Sequence, residues 1–136
     1  MDWKLEVVVV PVSDVDRATR FYAEQVGFVV DHDTRIDDDT HIVQLTPPGS
    51  ACSIVVGAGI VESTPGSAKG LQLVVSDIEA ARAELVERGV ETGPIVHYDG
   101  ADQVEGRGEA WNSFIYFSDP DGNSWAVQER PAVDAG

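Results

Sequence analysis

The sequence predicts an α+β fold in which two β-α-β-β-β units follow each other and form mixed sheets. With 136 residues, the chain has the length of one domain or of two half-size units that share a core. Segments 9–30 and 71–92 repeat one order: an apolar strand, Ser-Asp, a helix, a glycine and a new strand. We therefore expect a single domain over residues 1–136, with a first unit at 4–57, a linker at 58–69 and a second unit at 70–130.

Each predicted helix begins directly after the Ser-Asp pair. Apolar residues then recur at helical spacing: Val15, Ala18, Phe21, Tyr22 and Val26 in the first helix, and Ile78, Ala81, Leu85 and Val86 in the second. Ser76 and Glu79 have capping-box spacing, and Ser13 and Asp16 approximate it, so serine caps are expected. A glycine ends each predicted helix, at Gly27 and Gly89.

Strand-like runs follow each helix. They cover 28–33, 40–46 and 52–57 in the first unit, separated by polar residues 34–39 and by 47–51, and 90–98, 113–118 and 124–129 in the second. Residues 99–112 are predicted as a long glycine-rich loop. Between the last two strands, Asp119-Pro120-Asp121-Gly122 has proline and glycine where a type I turn with a following bulge requires them.

The formal net charge of −15 limits the kinds of partner. It argues against nucleic acid and anionic membranes, because phosphate would be repelled, and it is compatible with a cationic ligand. A single cysteine, Cys52, gives no internal disulfide framework. The N-terminal apolar run is too short for a signal peptide or a membrane span. We expect a cytoplasmic protein.

Local motifs for a cofactor are absent from the sequence. The acidic segment 31–41 has Ile36 and Ile42 where a calcium-binding EF-hand loop needs glycine and glutamate, so a solvated hairpin is favoured. Gly57-Ala58-Gly59 is too short for a dinucleotide fingerprint. Cys52 lacks the surroundings of a nucleophile. No cofactor is predicted.

The duplication, the segment VSDVDRATRFYAEQVGF (12–28) and the closing DPDGNSWAVQE (119–129) together resemble the vicinal oxygen chelate superfamily. That superfamily contains glyoxalase I, fosfomycin-resistance enzymes, extradiol dioxygenases and bleomycin-resistance proteins. The resemblance covers residues 4–130. It implies that each unit curls its sheet into a cup and that two chains form a homodimer.

The resemblance also implies where a metal would bind. In metal-using members, His, Gln or Glu ligands occupy positions that correspond here to Val7, Gly70, Ala126 and the strand 51–57, which has no His, Glu, Asp or Gln. Valine and alanine have no lone pair for a cation, so we expect no metal site. The alternative is a register shifted by one residue, which would turn Glu6 and Glu129 inward, with His41 or His97.

Several side chains are candidates for the wall of a binding site. Gln72 and Gln128 each lie two residues beyond a vacant ligand position, so strand alternation directs them to the cup. Trp111 ends the glycine-rich loop, whereas Trp125 alternates with Ala126 and is expected in the core. The predicted ligand-binding residues are His41, Gln72, His97, Trp111, Phe114, Tyr116 and Gln128. Phe114 and Tyr116 share one strand face, and whether that face lines the pocket is open at this point.

The favoured function is that of a metal-free binding protein, similar to bleomycin-resistance proteins, which sequesters a bulky aromatic or cationic compound such as an antibiotic. Aromatic walls with orienting amides suit such a ligand. The alternative is a glyoxalase-like lyase, isomerase or dioxygenase with an unconventional metal site, or with His41 or His97 as general base. A third hypothesis is an interaction module without a ligand.

Overall fold

A computed structural model describes residues 1–58 and 62–131, and its α+β architecture confirms the predicted fold class. The strands are β1 Val7–Val9, β2 Val29–Asp37, β3 Thr40–Thr46, β4 Ser53–Ala58, β5 Leu71–Val75, β6 Val96–Asp99, β7 Asp102–Glu105, β8 Phe114–Ser118 and β9 Ser124–Glu129. The helices are α1 Val15–Arg20, which a π-helical segment Phe21–Val26 continues, and α2 Ile78–Glu87. Neither helix in the described ranges is long and apolar enough to span a bilayer.

Contacts divide the chain into two units. The first unit comprises Met1–Ala68 together with Asp119–Asn123, and the second comprises Lys69–Ser118 together with the segment that begins at Ser124. Residues 119–123, which the sequence places in the second unit, therefore belong by their contacts to the first. Of the predicted linker 58–69, Ala58 ends β4 and residues 59–61 lie outside the described part of the chain.

The first unit contains a four-stranded mixed sheet in the order β1-β4-β3-β2. The β1–β4 pair is parallel and the other two pairs are antiparallel. Burial alternates along β3, where Val43 and Leu45 are fully buried, and α1 packs on β3 and β4 with Val15 and Ala18 buried. Strand alternation thus directs one face of the sheet to the helix.

The second unit contains a five-stranded mixed sheet in the order β5-β9-β8-β6-β7, in which β5 and β9 are parallel. One face of β8 and β9 is buried, and α2 packs against these two strands. Its residues are Ile115, Phe117, Trp125 and Val127. Trp125 is 3% exposed and stacks on Phe117 with ring centroids 6.0 Å apart, which confirms the prediction that Trp125 is core.

Both helices begin at the aspartate of the Ser-Asp pair, so the expectation of serine caps was wrong. The carboxylates of Asp14 and Asp77 accept the N–H groups of Arg17 and Ala80, each at 3.0 Å. A charged acceptor is a good cap because it offsets the positive end of the helix dipole. The predicted stops are confirmed, since both glycines have left-handed φ angles: Gly27 with 92° and Gly89 with 85°.

Two predicted loops are partly strand. The polar residues 34–39 were expected to separate strands, but β2 continues to Asp37 because its backbone pairs with β3. The predicted loop 99–112 contains β7, which forms a hairpin with β6 around Gly100, where φ is 62°. In contrast, the predicted strand 90–98 begins only at Val96, since Pro94 has no N–H to donate to a ladder.

The predicted turn between β8 and β9 is confirmed. Gly122 N donates to Asp119 O at 3.0 Å, and Gly122 has a φ of 95°. Asn123 is fully buried, and its side chain donates to Pro11 O at 2.8 Å and accepts from Ala68 N at 3.0 Å. The hydroxyl of buried Tyr22 donates to Asp119 at 2.7 Å. These hydrogen bonds hold the turn within the first unit.

Asp121 fixes the same turn to the start of α1. Ser13 donates its hydroxyl to Asp121 Oδ1 at 2.5 Å and its N–H to Oδ2 at 3.1 Å, and Arg17 lies 3.2 Å from Oδ1. Burial raises the pKa of Asp121, but the hydrogen bonds from Ser13 and the charge of Arg17 outweigh it and hold the pKa below its usual value. The ionised carboxylate is therefore the form that the fold stabilises.

Candidate functional site

The second sheet has a polar and aromatic face opposite its buried one. Gln72 and Tyr116 both pair with Ala126, one from β5 and one from β8, while Phe114 pairs with Gln128. Directly opposed residues point to the same side of a sheet, so all of these side chains share one face. The register thus determines that Phe114 and Tyr116 lie on the face with the two glutamines.

Tyr98 of β6 joins this face, because Val96 pairs with Phe114 and strand alternation puts Tyr98 on the same side. The rings of Phe114 and Tyr116 are nearly parallel, with centroids 6.3 Å apart, and Tyr98 meets Phe114 edge-on at 5.6 Å. We name the set Gln72, Tyr98, Phe114, Tyr116 and Gln128 the amide-aromatic face. It is a broad wall of the kind that a flat molecule can cover.

The two tyrosine hydroxyls on this face lie 2.6 Å apart, which is hydrogen-bond distance. Tyr116 remains 38% exposed. Partial burial, with a further contribution from the hydrogen bond to Tyr98, raises the pKa of Tyr116 to about 12. The Tyr116 hydroxyl is therefore protonated at neutral pH, and a phenol hydroxyl can donate one hydrogen bond while it accepts another.

Two amides and a backbone carbonyl form a second row on the same face. Gln72 Nε2 donates to Gln128 Oε1 at 2.7 Å, and Gln128 Nε2 donates to Trp111 O at 2.7 Å. We call this row the amide relay. It connects the predicted residues Gln72 and Gln128 to the loop that carries Trp111.

Trp111 is in an unusual backbone conformation, with a φ of 65°, and its side chain is 52% exposed. A non-glycine residue with positive φ costs on the order of 1 kcal/mol and persists only where its surroundings hold it. Asn112 supplies part of that support, since its side chain exchanges two hydrogen bonds of 2.8 Å with the backbone of Tyr98. The loop therefore presents Trp111 in a fixed backbone position.

Glu129 points away from the amide-aromatic face. Its Oε2 accepts Ile78 N at 2.9 Å, at the first residue of α2, and its Oε1 accepts from Arg107 at 2.6 Å. Burial raises the pKa of Glu129, but the Ile78 N–H and Arg107 outweigh it, so the pKa lies below its usual value. The shifted-register alternative, which turned Glu129 into the cup, was therefore wrong for this residue.

His41 lies in the first unit, on the buried face of β3 with Val43 and Leu45, and is 7% exposed. Its Nε2 is 2.7 Å from Asp33, and its Nδ1 is 3.4 Å from an Arg35 nitrogen. Because a guanidinium can only donate, Nδ1 accepts from Arg35, and the Nε2–H group donates a hydrogen bond to Asp33. Both ring nitrogens have protein partners.

His97 pairs with Val104 and lies on the face opposite Tyr98. Its Nδ1 donates to Gly106 O at 2.8 Å. The structure thus brings Gln72, Phe114, Tyr116, Gln128 and the carbonyl of Trp111 together, while His97 is on the other side of the same sheet.

The residues at the superfamily's metal positions do not fit a metal. Val7 and Ala126 have no side-chain donor atom. Their cross-strand neighbours, Ser53 for Val7 and Gln72 and Tyr116 for Ala126, carry no carboxylate or imidazole. Within residues 1–58 and 62–131, no group of three or more His, Cys, Asp or Glu side chains has the arrangement of a metal site. A divalent ion needs several such donors converging on one point.

Sequence reasoning missed Tyr98 and Asn112. Tyr98 was the last residue of a predicted strand, and its alternation with His97 was the available signal, but the pairing of Val96 with Phe114 is what assigns its face. Asn112 lay in a predicted loop, and no local pattern showed that its amide pairs with the backbone of Tyr98.

The first unit also has an open depression of about 710 Å³. It is lined by Lys4, Leu5, Glu6, Ser50, Ala51 and Cys52. None of the predicted ligand-binding residues is among these, and the lining contains no aromatic ring. The amide-aromatic face is therefore the better candidate for a site that binds a flat molecule.

A family model described as Glyoxalase/Bleomycin resistance protein/Dioxygenase superfamily matches residues 4–127. The chain belongs to this superfamily. The resemblance inferred from the two motifs is thereby confirmed over almost the whole predicted range. A search of curated proteins found no match.

Several solved structures resemble this chain over nearly their full length. TnmS3, an antibiotic binding protein from Streptomyces sp. CB03234, is 32% identical, with a TM-score of 0.74 and coverage of 95% of this chain and 97% of TnmS3. A glyoxalase/bleomycin resistance protein from the same organism is 34% identical, with a TM-score of 0.71 and coverage of 92% and 99%. A superfamily member from Sphaerobacter thermophilus DSM 20745 is 28% identical, with a TM-score of 0.75 and coverage of 95% and 98%.

Proposed function

We propose that this protein binds a bulky aromatic small molecule, such as an antibiotic, noncovalently and without a metal. The observation that carries the proposal is the amide-aromatic face, where aromatic rings and hydrogen-bonding amides share one open side of a sheet. Flat rings supply rigid apolar area, and a few polar groups orient what binds to it. The likeness to TnmS3, described as an antibiotic binding protein, supports the same class of function.

The enzyme alternative receives less support from the geometry. A general base needs a nitrogen within reach of a substrate proton. The two nitrogens of His41 face Asp33 and Arg35, and His97, whose Nδ1 donates to Gly106 O, lies on the side of the sheet opposite the amide-aromatic face. Noncovalent binding requires no proton transfer and uses the groups that are present on the face.

The proposal also includes a homodimer in the cytoplasm. The superfamily resemblance and the position of β1 and β5 at sheet edges, where backbone groups can take a further partner, support a dimer. Light scattering of the purified protein is expected to give twice the chain mass. A monomer at micromolar concentration would contradict this part of the proposal.

Binding can be tested with three antibiotics of different shape: daunorubicin, bleomycin and tetracycline. We expect at least one to bind the wild-type protein in calorimetry, to be recovered unchanged by mass spectrometry, and to keep its affinity in the presence of a chelator. Replacing both Phe114 and Tyr116 by alanine should weaken binding at least about tenfold, since it removes the aromatic wall.

The matched control is Trp3→Ala, which removes an aromatic side chain that is 89% exposed in the first unit. It is expected to leave the affinity unchanged. Conversion of the antibiotic to a product, loss of binding on chelation, or no binding by any of the three compounds would contradict the proposed function.

A further inference from the structure

We infer that the ligand is a neutral aromatic molecule that donates a hydrogen bond to Gln72 Oε1. This inference rests on the proposed function and narrows its ligand class. It depends on the direction of the amide relay and on where the carboxylates of the second unit lie.

The backbone carbonyl of Trp111, at one end of the amide relay, determines which way the hydrogen bonds of the relay run. Trp111 O can only accept, so the atom of Gln128 that faces it at 2.7 Å must be the donor Nε2. Gln128 Oε1 then faces Gln72 and accepts from Gln72 Nε2, also at 2.7 Å. Gln72 can therefore not turn its amide around without losing this hydrogen bond, and its oxygen is left as the outer end of the relay.

Gln72 Oε1 is available to a ligand. Gln72 is exposed, and within the described residues its oxygen has no hydrogen-bond partner. The relay donates in one direction, from Gln72 through Gln128 to the carbonyl, and each bond polarises the next in the same sense. This oxygen can accept a hydrogen bond from a hydroxyl or amino group of the ligand.

The charge of the face disfavours a cation as the main determinant of binding. On the described strands β5, β8 and β9, the residues that share this side with Gln72 carry no carboxylate, and Glu129 of β9 points to Ile78 N and Arg107 on the other side. Among the described strands of this sheet, the strand pairing puts one acidic residue on this face, Glu105 of the edge strand β7. The net charge of −15 acts mainly over longer distances, where salt screens it.

The test uses three fluorescent pyrenes with the same flat ring system. 1-Hydroxypyrene donates a hydrogen bond, 1-methoxypyrene cannot donate one, and 1-pyrenylmethyl-trimethylammonium is a cation without a donor. We expect the wild-type protein to bind hydroxypyrene about five- to tenfold more tightly than either of the other two, as one oriented hydrogen bond allows.

Gln72→Leu should abolish this preference while methoxypyrene still binds, because the rings of the face are unchanged. Gln128→Leu should reduce the preference, since it frees the Gln72 amide to rotate. The matched control is Gln103→Leu, on the same sheet face by its pairing with Tyr98 but outside the relay, and it should keep the preference.

The outcomes separate this inference from the proposed function. Equal affinities for hydroxypyrene and methoxypyrene, or tightest binding of the ammonium compound, would overturn the inference and leave the proposed function standing if Phe114→Ala weakens all three. A preference that survives Gln72→Leu would also overturn the inference. Failure of all three pyrenes to bind would count against both.

Discussion

The two units use tyrosines and amides in opposite ways. In the first unit, Tyr22 and Asn123 are fully buried, and their polar atoms bond to Asp119 and to the backbone. In the second unit, Tyr116 is 38% exposed and bonds to another tyrosine, and Gln128 bonds to a loop carbonyl at an open face. The same chemical groups therefore stabilise one unit and form a candidate binding surface in the other.

The difference follows from what lies around each group. A buried polar atom must find a partner, since leaving it unsatisfied costs on the order of 1–3 kcal/mol. An exposed one can exchange water for a ligand at little cost to the fold. Substitutions in the first unit should thus affect stability, and substitutions on the amide-aromatic face should affect binding.

Asn123→Ala is expected to have the largest effect on stability. It removes acceptors and donors that satisfy Pro11 O, Ala68 N and the Asp119 carboxylate inside the first unit. We expect the free energy of unfolding in urea to fall by about 2–4 kcal/mol. The matched control in the second unit is Asn112→Ala, whose partly buried amide bonds to the Tyr98 backbone and should cost about 1 kcal/mol. Equal losses would remove the distinction between the units.

Tyr22→Phe and Tyr116→Phe form a second matched pair. Each deletes one hydroxyl, but only that of Tyr22 is buried, where it donates to a carboxylate at 2.7 Å. We expect Tyr22→Phe to reduce the free energy of unfolding by about 1–2 kcal/mol and Tyr116→Phe to change it by less than about 0.5 kcal/mol. A larger loss from Tyr116→Phe would show that the face is stabilising rather than available for binding.

The acids Asp121 and Glu129 should behave alike, although they lie in different units. The pKa of each is held below its ordinary value, 3.8 for Asp121 and 4.5 for Glu129. A lowered folded-state pKa stabilises the fold above the ordinary pKa, and this stabilisation is lost as the pH falls through the folded value. Wild-type stability should therefore decline as the pH falls below about 4.5.

Asp121→Asn and Glu129→Gln, compared with wild type in urea unfolding from neutral pH to about pH 3, should each make that decline less steep. At neutral pH each variant should be less stable by about 1 kcal/mol, since a hydrogen-bonded charge is lost. A decline of unchanged steepness in both variants would mean that other carboxylates cause the acid sensitivity.

Much of the fold could be predicted from local patterns. The repeat of strand, Ser-Asp, helix and glycine located both helices, because helix caps and left-handed stops are short-range features. The alternation of Trp125 with Ala126 assigned one to the core and the other to the opposite face, because strand geometry alone determines that relation. The predictions failed for β7, where the presence of a neighbouring strand decides the structure, and for the start of β6, where Pro94 has no N–H to donate to a ladder.

The sequence, together with the superfamily resemblance, placed Gln72 and Gln128 on one sheet face and left Ala126, which has no donor atom, at a metal position. The resemblance supplied the ligand positions, and strand alternation related the two glutamines to them. Only the tertiary structure decided that Tyr98 joins the face, that Glu129 binds the start of α2 and that His97 lies behind the sheet. These placements depend on strand register and on residues far apart in the chain, which no local spacing encodes. The direction of the amide relay likewise depends on a single backbone carbonyl, that of Trp111.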